Sequence, residues 1–110
     1  MKRFCLALDL KDDAQAIAQY EAYHQSVWPE IIESIKSSGI ENMTIYRVHN
    51  RLIMLIEAHD DFSFEQKAAQ DAQNPKVQEW EALMDRFQQR IPGTPEGAKW
   101  ALAEPIFNLY

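Results

Sequence analysis

With three glycines, one cysteine and no long apolar run, this 110-residue chain excludes several classes of protein at once. A lone Cys5 can form neither an intramolecular disulfide nor a thiolate zinc cluster within one chain, and a reducing cytoplasm is the expected setting. Nothing approaches the roughly 20 apolar residues of a membrane helix, so no membrane association is expected. Lys2 and Arg3 before Phe4–Leu8 have the look of a leader's start, but Asp9 cuts the apolar stretch far too short. None of the glycines falls in a GxGxxG or Walker arrangement, which disfavours nucleotides. Basic residues number 11 against 17 acidic, a net charge of -6, and they do not cluster, so no nucleic-acid partner is expected. No Ser or Cys stands in a nucleophile setting. Glu21 and Glu30 lie near His24 in sequence without a metal signature such as HExxH, so no metal is assigned.

What remains is an ordinary globular balance, 46% hydrophobic and 25% charged, sufficient for one core and a single domain spanning 1–110. Arg3–Leu10 reads as a first strand, closed by Lys11, Asp12 and Asp13, which suit a helix cap. Ile17, Tyr20, His24, Val27, Trp28, Ile31, Ile32 and Ile35 then recur in steps of three and four, the stripe of a helix. Pro29 demands a kink or restart near Trp28, and Gly39 ends the segment. Met43, Ile45 and Val48, a turn at His49–Asn50, and Leu52–Ile56 predict a hairpin. His59, Asp60 and Asp61 read as turn and cap chemistry before a helical region opened by Phe62 and Phe64. Asn74 and Pro75 interrupt that region, and Val77, Trp80, Leu83, Met84 and Phe87 resume it. A loop bearing Pro92, Gly93, Pro95 and Gly97, placed to act as a lid, leads to a closing strand over Trp100–Leu109, with Pro105 at an edge or bulge. Strand, helix, strand, strand, helix, strand is the α+β ferredoxin-like βαββαβ order. One sheet face is then covered by helices, and a homodimer formed sheet to sheet buries the other.

Tyr20, His24 and Trp28 follow at i, i+4 and i+8 and share one helix stripe. An imidazole among rings suits acid/base work on a carbohydrate: the rings offer flat apolar faces to C–H groups, and histidine moves one proton near neutral pH. If the stripe faces a pocket, His24 is a general acid/base and Tyr20 a hydrogen-bonding partner. If it is sealed, all three are core.

The combined pattern resembles the L-rhamnose mutarotase family over nearly the whole chain. The residues that carry it are the opening strand, Tyr20 with His24, the run Val27-Trp28-Pro29-Glu30, Ile45-Tyr46, Trp80, and the closing Ile106-Phe107-Asn108-Leu109. The resemblance implies a dimeric α+β barrel that interconverts the anomers of a 6-deoxyhexose such as L-rhamnose without cofactor or metal. His24 matches the family's proton donor, Tyr20 a sugar-binding tyrosine, and Trp80 the first of two adjacent sugar-contacting tryptophans. Two positions depart. Glu81 stands where the family has the second tryptophan, and Met43 where it has a tyrosine early in the second strand. The missing wall and hydroxyl then fall to Tyr46, Trp100 or Tyr110, and L-fucose becomes the alternative substrate, since a pocket that reads hydroxyls changes preference when its donors change. Cofactor-independent oxygenases and non-catalytic ligand-binding modules use the same fold, and only catalysed anomer exchange separates the three.

Overall fold

A computed structural model describes residues 1–110. The elements are β1 (Lys2–Leu10), α1 (Ala14–His24), α2 (Pro29–Ser37), β2 (Ile40–Val48), β3 (Arg51–Ala58), α3 (Phe64–Ala72), α4 (Pro75–Asp85), β4 (Gln88–Gln89) and β5 (Ala101–Ala103). The antiparallel sheet runs β2-β3-β1-β4, with β5 pairing β1 on the same edge as β4. Each helical half of the expected topology is therefore a pair of short helices, and a two-residue strand, β4, precedes the closing one.

Local chemistry explains each break. The Asp13 side chain accepts from the Ala16 amide at 3.2 Å and starts α1. Pro29 holds Trp28 in extended backbone (φ -56, ψ 136), so the stripe restarts as α2 instead of continuing. At φ +99, Gly39 adopts a conformation that side chains resist and turns the chain into β2. Asn74 accepts from the Lys76 and Val77 amides and opens α4 with Pro75 in the first turn. The turn at His59 is present, closed by the Phe62 amide on the His59 carbonyl, but the cap of α3 is Ser63. His59 instead meets Glu41 at 2.7 Å.

The closing strand is shorter than expected. Strand pairing covers Ala101–Ala103 and not Trp100–Leu109. Pro105 lacks the amide that would extend the ladder, and Ile106, Phe107, Leu109 and Tyr110 lie exposed beyond it. Gln88–Gln89, for which the sequence offers no assignment, form a two-residue strand beside Asp9 and Leu10.

Side-chain alternation along β1 and β3 divides the sheet into two unlike faces. Leu6, Leu8, Leu10, Leu52, Met54 and Ile56 are buried beneath the helices. One buried cluster joins Leu10, Leu52, Tyr20, Ile31, Val77, Trp80, Met84 and Phe87. A second joins Leu6, Ile40, Met54, Ile56 and Phe62. The opposite face carries Tyr46, Val48 and Leu55, all exposed. On that same face Arg51 grips Asp9 through two hydrogen bonds, 2.8 and 3.1 Å. No helix is long and apolar enough to cross a membrane.

Candidate active site

The end of α1, the start of α2 and the middle of α4 bring one imidazole into a cluster of aromatic rings, two of them against it. The ring of His24 lies 4.4 Å from that of Tyr20 and 5.6 Å, edge-on, from that of Trp80. Trp28 stands 5.1 Å from Trp80, again edge-on. Tyr23 packs edge-on to Trp80 at 6.4 Å. Tyr20 and Trp80 are buried, while His24 and Trp28 remain partly exposed. The Lys76 ammonium sits 5.7 Å from the centre of a Trp28 ring and is drawn toward Glu79 at 3.1 Å.

Helical spacing also sets the state of His24. Its Nδ1 lies 2.8 Å from the carbonyl oxygen of Tyr20, one turn earlier. A carbonyl can only accept, so Nδ1 carries a proton and the neutral ring keeps its lone pair on Nε2. No carboxylate is bonded to this imidazole, which distinguishes it from His49, 2.9 Å from Asp12, and His59, 2.7 Å from Glu41. Glu21 instead pairs with Arg47 of β2.

The Tyr20 hydroxyl is pushed up to about 12, mainly by burial and secondarily by the negative charge of Glu81, with hydrogen bonding from the Gln88 side chain opposing. It is a hydrogen-bond donor at any working pH. Glu81, next to Trp80, holds Lys99 at 2.6 Å and so tethers the end of the 90–99 loop to α4. That loop is further tied by Arg90 Nε donating to the Ala98 carbonyl at 2.6 Å and by Thr94 donating to the Ile91 carbonyl at 2.6 Å.

Two cavities flank the cluster, and His24 lines neither. One, of about 240 Å³, lies at the edge of β1 between β4 and β5 and includes Gln88 and Lys99. The other, about 380 Å³, is an open groove along Gln19, Tyr23 and Phe87. Tyr20, His24, Trp28 and Trp80 are thus brought together as the sequence suggested. Tyr46 is not, within one chain: it is paired with Ile53 on the sheet face turned away from the helices. Gln88 and Lys99 escape sequence reasoning, because neither belongs to a motif and their proximity to Tyr20 and Glu81 arises only from folding.

Known structures share the architecture. An L-rhamnose mutarotase from Formosa agariphila superposes with a TM-score of 0.71 at 22% identity, covering 100% of both chains. The type-II polyketide cyclase tetracenomycin F2 cyclase from Streptomyces glaucescens gives 0.64 at 22% identity, over 100% of this chain and 98% of that one. These likenesses define a small ferredoxin-like α+β domain. Sequence goes further. The profile of the L-rhamnose mutarotase family matches residues 3–109. A relative from Xanthomonas campestris pv. campestris, an L-fucose mutarotase, is 48% identical over 99% of this chain and 89% of its own length. A UPF0734 protein from Dictyostelium discoideum is 36% identical over 98% of this chain and 90% of its own. The chain belongs to the L-rhamnose mutarotase family, and is a carbohydrate isomerase.

Proposed function

We propose that the protein interconverts the α and β anomers of a 6-deoxyhexose, with L-fucose preferred and His24 as the proton-transfer group. The observation that carries this reading is the imidazole whose Nδ1 is tied to the Tyr20 carbonyl at 2.8 Å while Nε2 has no protein partner, its ring lying against Tyr20 and Trp80, the latter in turn against Trp28. Mutarotation requires a proton on the ring oxygen and removal of one from the anomeric hydroxyl. The ring then opens, C1–C2 rotates, and closure on the other face gives the second anomer. His24 first takes a proton from solvent on Nε2 and gives it to the ring oxygen, the anomeric proton passes to solvent through a bound water, and both transfers reverse when the ring closes. Tyr20, protonated throughout, donates a hydrogen bond and leaves the anomeric proton to a bound water. Trp28 and Trp80 offer ring surface to the sugar's C–H groups. Selectivity comes from placed hydrogen bonds and apolar contact, so an acidic protein meets a neutral sugar without electrostatic penalty.

L-Fucose is favoured by the 48% identity to a named L-fucose mutarotase and by Glu81 and Met43, which stand at two sugar-contacting positions of the family resemblance. L-Rhamnose is the second reading, favoured by the family profile that spans residues 3–109. The deciding experiment is saturation-transfer NMR of wild-type protein with each sugar. Exchange faster than the uncatalysed rate, and faster for L-fucose than for L-rhamnose, is expected. Binding without faster exchange would leave a sugar-binding module in place of an isomerase.

The working form is a homodimer in the cytoplasm. Tyr46, Val48 and Leu55 leave the helix-free face of the sheet apolar and open, and a second copy of that face covers it. The Asp9–Arg51 pair within this face gives the contact a polar register mark. Sedimentation equilibrium at micromolar concentration is expected to give twice the chain mass, and a monomer there would contradict the arrangement.

A further inference from the structure

Two parts of the fold each lack a neighbour. β2 stands at one end of the sheet and pairs only with β3, so the amides and carbonyls along its outer side make no backbone hydrogen bond. An open edge of this length, bearing exposed Tyr46 and Val48, is a template for a further strand. The stretch after β5 is the other part. Ile106, Phe107, Leu109 and Tyr110 are exposed, Phe107 at 77%, although isoleucine, phenylalanine and tyrosine favour strands. It leaves the sheet at the edge opposite β2, with β1 and β3 between. The aromatic site is also open: neither cavity beside it includes His24, and Tyr20 and Trp80 alone among the rings lie against the imidazole.

The sheet-to-sheet dimer joins the two. A two-fold axis parallel to the strands lays the β5 edge of each copy over the β2 edge of the other. Stacked sheets lie roughly 10 Å apart, and residues 104–110 extend to about 23 Å at about 3.3 Å each, enough to cross the gap and run along the edge. Alternation sets the side chains. Ala101 and Ala103 pair with Ala7 and Cys5 on the helix-free face. Carried past Pro105, that alternation puts Phe107 and Leu109 between the sheets with Tyr46, Val48 and Leu55, and turns Asn108 and Tyr110 toward the helix layer. There β2 presents Arg47, bonded to Glu21 of α1. Glu21 precedes His24 by three residues, a helical spacing that makes side chains neighbours at about 5–6 Å between Cβ atoms.

We propose that residues 106–110 of each copy add as a strand to the β2 edge of the other, and that Asn108 and Tyr110 thereby wall the partner's His24 site and bond the sugar's hydroxyls. The inference rests on the mutarotase reading for the sugar and goes beyond it in making each site from two chains. Asn108 carries both a donor and an acceptor, and Tyr110 a hydroxyl, groups suited to reading a sugar's hydroxyls. The exchange is mutual and closes on itself, since each open edge is used once and no third copy can add.

Heterodimers test it. Full-length His24→Ala and Asn108→Ala/Tyr110→Ala chains are co-expressed with different tags, and mixed dimers are purified through both. Saturation-transfer NMR then follows the L-fucose anomers. Each variant homodimer is expected to exchange them at least about tenfold more slowly than wild type. The heterodimer is expected to recover about half the wild-type rate, because one of its two sites combines an intact His24 with an intact partner segment. A segment that covers its own chain's site gives no recovery, and that result, or wild-type exchange in the Asn108→Ala/Tyr110→Ala homodimer, overturns the proposal. Amide hydrogen exchange along the outer side of β2 gives a readout independent of the sugar. Those amides are expected to be slow in the wild-type dimer and fast in Phe107→Asp, and fast exchange in the wild-type dimer overturns the strand addition. If wild type accelerates neither sugar, the mutarotase reading fails, while the β2 amides still decide whether the strand is shared.

Discussion

His24 and His59 are two histidines given opposite tasks by their surroundings. His59, half-exposed on a turn, points Nε2 at the Glu41 carboxylate, a surface ion pair. His24 gives Nδ1 to a backbone carbonyl, keeps Nε2 free, and has aromatic rings for neighbours. A carboxylate partner occupies one ring nitrogen of a histidine. A carbonyl partner fixes the tautomer without adding a charge, leaving one nitrogen available for a proton. The rings of Tyr20 and Trp80 beside His24 have no counterpart at His59.

Replacement of each histidine breaks this contrast most severely. His24→Ala is expected to slow anomer exchange by about a hundredfold to ten-thousandfold, while His59→Ala leaves it unchanged; equal rates in both variants, read by saturation-transfer NMR, would remove the distinction. Next comes the wall beside His24. Trp80 is 7% exposed within the main core cluster, and Trp80→Ala is expected to cost ~3–5 kcal/mol in urea unfolding. No corresponding ring supports His59.

A third effect is titratable. Burial raises the Tyr20 hydroxyl from 10.0 to about 12, so the folded chain holds this proton more tightly than the unfolded one. The resulting stability is complete below pH 10 and is lost as pH climbs toward about 12, a total of ~3 kcal/mol. Alkaline melting curves should therefore fall more steeply for wild type than for Tyr20→Phe across that window, and parallel curves would contradict the burial of the hydroxyl. The smallest effect belongs to the exposed pair. Glu41→Ala, removing the partner of His59, is expected to cost less than about 1 kcal/mol by chemical denaturation.

Much of this layout was legible in the sequence because its signals are local. The steps from Tyr20 to His24 to Trp28, the restart at Pro29, the cap at Asp13 and the break at Asn74–Pro75 all depend on residues within a turn or two of each other. The hairpin turn at His49–Asn50 is equally local. Long-range pairing was not legible. Gln88–Gln89 have no apolar alternation to mark a strand and become one only because Asp9 and Leu10 present an open edge. The apolar Ile106–Tyr110 stretch reads as strand, yet Pro105 ends the ladder and no layer of a single chain covers it. Tyr46 follows Ile45 in a run that marks the family, but the strict alternation of β2 puts it on the far side of the sheet from His24. Gln88 and Lys99 meet Tyr20 and Glu81 through tertiary contacts that no spacing rule encodes.

The most direct measurement is the nitrogen-15 NMR spectrum of the histidine rings in the neutral form. His24 is expected as the Nδ1–H tautomer with an unprotonated Nε2, its pattern responding to added L-fucose while His49 and His59 stay fixed. An Nε2–H tautomer at His24, or a spectrum indifferent to the sugar, would contradict the assignment of this nitrogen as the group that moves the proton.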